Sequence, residues 1–208
     1  MEERASGIIL RTRPLTETSL IVQWLTPEFG RISTIAKGAR RPKSPFRGKL
    51  DLFYEADFSF NRSRRSELHT LSELILTETH PILRLDLDRL RQASYCAALV
   101  EQSTESDTPL PAIFSLFRGF LAHLPKQPPQ PRNIYAFELK LLDELGLGPD
   151  PTSNQLSSET KELVRALSVL DWEDIAALKT TAGAAKQLRQ FLHGFLIFHL
   201  GKIPKGRI

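Results

Sequence analysis

The stretch FGRISTIAKGARRPKSPFRGKL, residues 29–50, joins a strand pattern to a strongly basic segment. Apolar and polar side chains alternate from Arg31 to Ala36, which predicts a half-buried β-strand. Glycine and proline residues then interrupt the pattern at four positions, which are Gly38, Pro42, Pro45 and Gly48. The sequence therefore predicts a strand that leads into a loop.

The positive charge of this stretch is local. Residues 29–50 contain seven Lys or Arg and no acid, whereas the rest of the first 80 residues carries 6 basic and 10 acidic side chains. A positive segment on a negative background favours a polyanionic partner. The side chains predicted to line the loop are Lys37, Arg40, Arg41, Lys43, Arg47 and Lys49.

Phe46 lies within the basic loop and has two interpretations. Its ring could offer a face on which a nucleic-acid base stacks. It could instead be buried in the core and anchor a solvated charged loop. The sequence leaves both open, although a surface that only confers solubility normally mixes charges of both signs.

The first 80 residues predict a small β-barrel. Strand-like runs span residues 7–13, 19–25, 31–36, 52–60 and 68–79, and turn-forming residues separate them. A helix is the weaker alternative for the middle of the fifth run. A closed barrel suits five short strands better than an open sheet with exposed edges.

From residue 81 onward the hydrophobic period changes to that of helices. The spacing predicts helices over residues 86–103, 109–124, 133–145, 158–170 and 182–200, with an extended proline-rich connector over 126–132. The fold class is therefore α+β, with a barrel domain over residues 1–80 and a helical domain over 81–208.

No pattern in the chain is typical of an enzyme. Phosphate-binding glycine loops, Gly-x-Ser-x-Gly and His-Glu-x-x-His are all missing from the sequence. Cys96 is the single cysteine and has small or apolar neighbours, which indicates a buried thiol rather than a reactive one. We expect no enzymatic activity and no cofactor or metal. No apolar run reaches the length of a membrane span, and we expect a cytoplasmic protein.

Several motifs resemble the bacterial RecO family of DNA repair proteins. They are GIILRTRPLTETSLIV (residues 7–22), LTPEFGR (25–31), AKGARRPKS (36–44), LHTL (68–71), FELKLLDELGLGPD (137–150), LRQFL (188–192) and HLGKIPKGR (199–207). The resemblance is strongest before residue 50 and weakest between residues 103 and 132.

The resemblance implies an N-terminal OB-fold barrel followed by a helical domain. It also implies a protein that binds single- and double-stranded DNA and anneals complementary strands. Such a protein helps to load RecA onto DNA coated by single-strand-binding protein, together with RecR and often RecF. By motif position, Lys37, Arg40, Arg41 and Lys43 would contact DNA, with Arg47, Lys49, Arg64 and Arg65 as further candidates. Arg11 and Arg13 match the family's first strand, where they could also simply cover the barrel exterior.

The sequence departs from the family in one segment. Many members carry a four-cysteine zinc site soon after the segment that matches residues 145–150. Here residues 151–158 read PTSNQLSS and contain no cysteine. The resemblance therefore implies no zinc module in this chain.

A protein-interaction adaptor is the alternative function. In that case the basic loop would bind an acidic protein, and a groove in the helical domain would hold the acidic C-terminal tail of single-strand-binding protein. The two functions differ in the part of the chain that binds each ligand. We expect DNA binding to need only residues 1–80 and binding of the tail to need the helices.

Overall fold

The computed structural model describes residues 2–150 and 156–207, and its N-terminal part is a barrel. Its strands are β1 (Glu2–Pro14), β2 (Leu20–Thr26), β3 (Gly30–Ala36), β4 (Glu55–Asn61) and β5 (Leu68–Glu78). They close in the order β1-β2-β3-β5-β4, and β3 and β5 form the parallel pair. The predicted five-stranded OB-fold barrel is therefore confirmed.

The long first strand closes the barrel by pairing with two neighbours. Residues Glu2 to Ile8 pair with β4, and Ile8 to Pro14 pair with β2. The register shifts between Ile9 and Arg11, which is the irregularity expected where a strand bends. The 13 residues of β1 thus pair with both β2 and β4 and close the barrel.

Aromatic side chains fill the barrel. The rings of Trp24 and Phe58 stack with centroids 4.1 Å apart, and the Trp24 indole N–H donates to the Thr34 hydroxyl over 2.9 Å. Trp24 and Phe60 are fully buried. Because side chains occupy the interior, a ligand of this barrel must bind on its outer surface.

A segment between the first two helices belongs to the barrel. We call residues 104–110 the strap. Ser106 forms a parallel β-bridge with Arg31, and the Asp107 N–H donates to the Arg31 carbonyl over 3.0 Å. The Leu110 N–H donates to the Pro27 carbonyl over 3.0 Å. The strap thereby pairs with the first part of β3, ahead of the three residues that pair with β5.

The remaining described residues are mainly helical. Its helices are α1 (Leu87–Ser103), α2 (Pro111–His123), α3 (Pro131–Glu144), α4 (Ser158–Val169), α5 (Trp172–Ala177) and α6 (Ala182–Leu200). The five predicted helices are confirmed, and α5 was not predicted. By contacts the chain divides into two compact units, Met1–Pro81 with Thr104–Ser115, and Ile82–Ser103 with Leu116–Ile208.

The predicted extended connector over residues 126–132 is wrong at both ends. Leu124–Lys126 forms a short 3-10 helix, and Pro131 is the first residue of α3. Proline suits the first position of a helix, because its missing N–H would have no partner there and its φ is already helical.

A buried ion pair lies in the helical unit. The Glu138 carboxylate on α3 is fully buried and accepts hydrogen bonds from Arg207 Nε at 2.7 Å and Nη2 at 2.8 Å. The Tyr95 hydroxyl also donates to it over 2.6 Å. Burial and the nearby Glu138 charge raise the pKa of Tyr95. All of these groups are thus fixed in a single hydrogen-bonded cluster.

A candidate nucleic-acid interface on the barrel

The basic loop leaves β3 at Ala36 and follows a series of tight turns. Five backbone N–H groups each donate to the carbonyl three residues earlier, at distances of 3.0 to 3.3 Å. The donors are Ala39, Arg41, Ser44, Arg47 and Lys49. Gly38 and Gly48 have φ values of +66° and +72°, in the left-handed region that glycine adopts without strain. The loop is therefore built from its own backbone hydrogen bonds.

Two buried side chains and two hydrogen bonds of Arg40 fasten the loop to the barrel. Phe46 is 7% exposed and belongs to the hydrophobic core of the barrel, as does Ala39. The Arg40 N–H donates to the Thr18 carbonyl over 2.9 Å, and its guanidinium donates to the Thr16 carbonyl over 3.3 Å. The suggestion that Phe46 stacks on a base is wrong, because its ring is buried and anchors the loop.

The six predicted cations of the loop all lie at least partly in solvent. Lys37, Arg40, Arg41, Lys43 and Arg47 are exposed, and Lys49 is partly exposed. The Arg40 and Arg47 side chains donate to neutral backbone carbonyls. Within the described residues, the other four side chains form no hydrogen bond and no ion pair. No carboxylate neutralises this surface, so it can bind phosphate groups.

Arg64 and Arg65 lie elsewhere on the barrel. They are exposed on the turn between β4 and β5, just before Leu68, which pairs with Ser33 in the parallel register of β3 and β5. The turn therefore lies near the Gly30 end of β3, whereas the basic loop begins at the Ala36 end of that strand. A seven-residue strand is about 20 Å long. The eight predicted DNA-binding side chains thus form two separate groups.

Arg11 and Arg13 are exposed on β1, and Arg13 lies at the same end of the barrel as the basic loop. Its register partner on β2 is Ile21, which in turn pairs with Ile35 on β3. Two strand spacings correspond to about 10 Å. Arg13 can therefore extend the basic surface.

Two further arginines of the barrel, Arg31 and Arg62, are bonded to the strap, and Arg62 is also bonded to β1. Arg31 Nε donates to the Thr104 hydroxyl over 2.8 Å, and Arg62 forms ion pairs with Asp107 at 3.0 Å and Glu3 at 3.3 Å. Arg31 belongs to the basic stretch by sequence, but its guanidinium makes a structural contact. No local pattern around residue 104 indicates this role, because the partners are 73 residues apart.

The fold and its charges define an OB-fold protein with a basic loop, a class that contains many oligonucleotide-binding proteins. The family "Recombination protein O N terminal" matches residues 1–80, and "Recombination protein O C terminal" matches residues 84–154. The chain belongs to the RecO family of recombination and DNA repair proteins. This family consists of non-enzymatic recombination mediators, as the sequence predicts.

Curated relatives named DNA repair protein RecO align over much of the chain. The protein of Alkaliphilus metalliredigens is 29% identical over 96% of this chain and 94% of its own length. Those of Syntrophus aciditrophicus and Tolumonas auensis are 30% and 36% identical over 70% and 69% of this chain. In these two cases the chain spans 56% and 59% of the relative's length, little more than half.

The residues of the chain do not fit the four-cysteine zinc site of other family members. Cys96 is the single cysteine, it is fully buried, and burial raises its pKa far above the ordinary value. Among residues 2–150 and 156–207, no three His, Cys, Asp or Glu side chains are grouped to hold a metal ion. Residues 151–155, where the zinc segment would begin, lie outside the described residues.

None of the described helices combines the length and the apolar composition needed to cross a bilayer.

Proposed function

We propose that this protein is a DNA-binding recombination mediator that binds single- and double-stranded DNA through the basic loop and anneals complementary strands. The proposal depends on one observation: the loop presents six cationic side chains on a fixed backbone, and no carboxylate in the described part of the chain forms an ion pair with them. Annealing needs phosphates to be neutralised while the bases stay free to pair. A cationic surface without an exposed aromatic ring suits that requirement.

Binding should depend strongly on salt and weakly on sequence. If four or five of the cations contact phosphates of a single strand, the logarithm of the binding constant should fall with the logarithm of salt concentration with a slope of roughly −3 to −3.5. Contacts to phosphates carry no direct information on base identity, so oligonucleotides of different sequence should bind alike.

The test is the double variant Arg40→Glu, Arg41→Glu. Fluorescence anisotropy of a labelled single-stranded oligonucleotide, titrated across a salt series, should show that most of the affinity and most of the salt dependence are lost. The matched control is Arg165→Glu, Lys179→Glu, which changes the net charge by the same amount at two exposed positions of the helical unit. Normal affinity in a folded Arg40→Glu, Arg41→Glu protein would refute the proposal.

The partners follow from the family. We propose that the protein acts in the cytoplasm with RecR, and with RecF where that protein is used, to load RecA onto DNA coated by single-strand-binding protein. In this proposal the barrel domain over residues 1–80, completed by residues 104–115, provides the main DNA site. The rest of the helical domain over 81–208 binds the protein partners. An adaptor that binds only the acidic tail of single-strand-binding protein would instead retain full tail affinity in the Arg40→Glu, Arg41→Glu variant and show no annealing in the wild type.

A further inference from the structure

The outer face of α6 carries a second group of cations. Lys186, Arg189, Gln190 and His193 are exposed and lie at helical spacings of three, four and seven residues, so their side chains share one face. The opposite face carries the buried side chains Ala184, Leu188, Leu192 and Leu196. The cationic face is therefore turned away from the core.

The chain after α6 forms the second wall of a groove along this face. Gly201 ends the helix with a φ of +76°, and the Gln102 amide donates to the carbonyls of Leu200 at 3.1 Å and Lys202 at 2.5 Å. Arg207 then reaches the buried Glu138 carboxylate and also donates to the Arg189 carbonyl over 3.3 Å. The groove, about 650 Å3 in volume, thus has two walls fixed by hydrogen bonds.

No carboxylate lines the groove within the described residues. Its lining is Lys186, Arg189, Gln190, His193, Ile203, Pro204, Gly206 and Arg207, without a carboxylate. Glu138 neutralises the Arg207 guanidinium. Within the described residues, the side chains of Lys186 and Arg189 form no hydrogen bond or ion pair, and the neighbouring Lys205 is exposed. The groove therefore offers at least two free cations to an anion.

We propose that this groove is a second nucleic-acid site, which binds the phosphodiester backbone of DNA. The inference rests on the proposed function in taking DNA as the ligand. From Lys186 to His193 the helix rises about 10 Å, which matches about three nucleotides of one strand. The apolar lining is limited to Ile203 and Pro204. An acidic peptide that needs a deep apolar pocket for an anchor side chain finds little to bind here.

The test counts binding sites for a short strand. Fluorescein-labelled oligo(dT) of about 12 nucleotides, within the site size of one OB-fold, is titrated into micromolar full-length protein at low salt. We expect two strands per chain for the wild type and one for Lys186→Glu, Arg189→Glu. We also expect one for Arg40→Glu, Arg41→Glu, because the weaker α6 site binds its strand only at micromolar protein and low salt, and none for the fourfold variant. The control Arg165→Glu, Lys179→Glu should retain two.

The outcomes separate this inference from the proposed function. Two strands bound by a folded Lys186→Glu, Arg189→Glu protein would overturn the α6 site and leave the loop proposal intact. Two strands bound by the Arg40→Glu, Arg41→Glu protein would overturn the loop instead. If the glutamate variant does not fold by circular dichroism, Lys186→Gln, Arg189→Gln replaces it. A labelled Asp- and Phe-rich peptide that loses affinity in this variant, while the DNA count stays at two, would also overturn the α6 site.

Discussion

Gly30 begins β3 at a position where no other residue fits. Its φ is +61°, and a Cβ atom there would lie 1.7 Å from the Thr108 carbonyl oxygen of the strap. The left-handed conformation alone costs a non-glycine residue about 1–2 kcal/mol. The clash with the strap backbone adds to that cost, because Thr108 lies between Asp107 and Leu110, whose N–H groups are both bonded to barrel carbonyls.

We predict that Gly30→Ala lowers the free energy of unfolding by about 3 kcal/mol or more, measured by urea denaturation. Gly48→Ala is the matched control, since Gly48 has a φ of +72° but no atom within 4 Å of its added Cβ. It should cost only about 1–2 kcal/mol. Equal losses of unfolding free energy in the two variants would mean that the strap moves to make room for the added methyl group.

The buried Glu138 carboxylate and the largely buried Arg207 guanidinium neutralise each other's charge. We predict that Glu138→Gln lowers the free energy of unfolding by about 3–5 kcal/mol, because it leaves the largely buried Arg207 guanidinium without its counter-charge. The control is Asp88→Asn, which breaks the exposed Asp88–Arg91 pair at 3.1 Å and should cost less than about 1 kcal/mol. Denaturant titration at neutral pH measures both, and a small loss in Glu138→Gln would contradict the prediction.

His123 makes the stability depend on pH. Its ring is buried and stacks on Trp172 with centroids 5.5 Å apart. Burial, helped by the Lys126 charge, lowers the pKa of His123 below the ordinary 6.5. The unfolded chain therefore takes up a proton below about pH 6.5 that the folded chain does not, and stability falls as the pH falls.

We predict that stability falls between pH 7 and pH 5 by up to about 1.4 kcal/mol per pH unit from this group. His123→Phe keeps the stack on Trp172 and should flatten the decrease, whereas His193→Phe, at an exposed position, should not. Denaturation midpoints at several pH values measure the slope. An unchanged slope in His123→Phe would assign the dependence to other groups, such as His69, whose pKa burial also lowers.

At the scale of elements, the attachment of the basic loop to the barrel depends on the buried ring of Phe46. We predict that Phe46→Ala lowers the free energy of unfolding by about 3 kcal/mol or more, as truncation of a buried phenylalanine does. Phe46→Leu should cost less than about 1.5 kcal/mol and leave the affinity for single-stranded DNA unchanged. Anisotropy titration of the leucine variant is the critical measurement. A clear loss of affinity in a stable protein would mean that the ring contacts a base.

The regular elements could be predicted because their signals are local. Alternation between Arg31 and Ala36 indicates β3, and three- and four-residue spacings indicate the long helices. The six-residue α5 was missed, because six residues are too short for a helical period to appear. Pro131 misled the prediction, since proline occurs both in extended connectors and at the first position of a helix.

The candidate site could be predicted only in part. Charge clustering identified the six cations of the loop, because an acid-free run is visible in the sequence alone. The burial of Phe46, the separation of Arg64 and Arg65 from the loop, and the structural role of Arg31 were not visible. Each depends on pairing between segments distant in sequence, such as the strap with β3 or β5 with β3.

At the scale of the whole molecule, the barrel unit is discontinuous in sequence, since Thr104–Ser115 belongs to it. We predict that a fragment of residues 1–80 unfolds at lower urea concentration than one of residues 1–115. Without the strap, Arg31 loses its bonds to Thr104, and Arg62 loses Asp107. Tryptophan fluorescence of Trp24 reports barrel unfolding in both fragments. Equal midpoints would show that the strap adds no stability.

The strap also affects the order in which the chain can fold as the ribosome makes it. When residue 80 has emerged, all five strands are present, but Thr104 and Ser106, the partners of Arg31, are still about 25 residues away in the message. At a synthesis rate of about 5–20 residues per second, the first part of β3 waits about 1–5 seconds for these partners. During this interval a nascent barrel exposes unpaired backbone groups on β3, to which another nascent chain or a chaperone can bind.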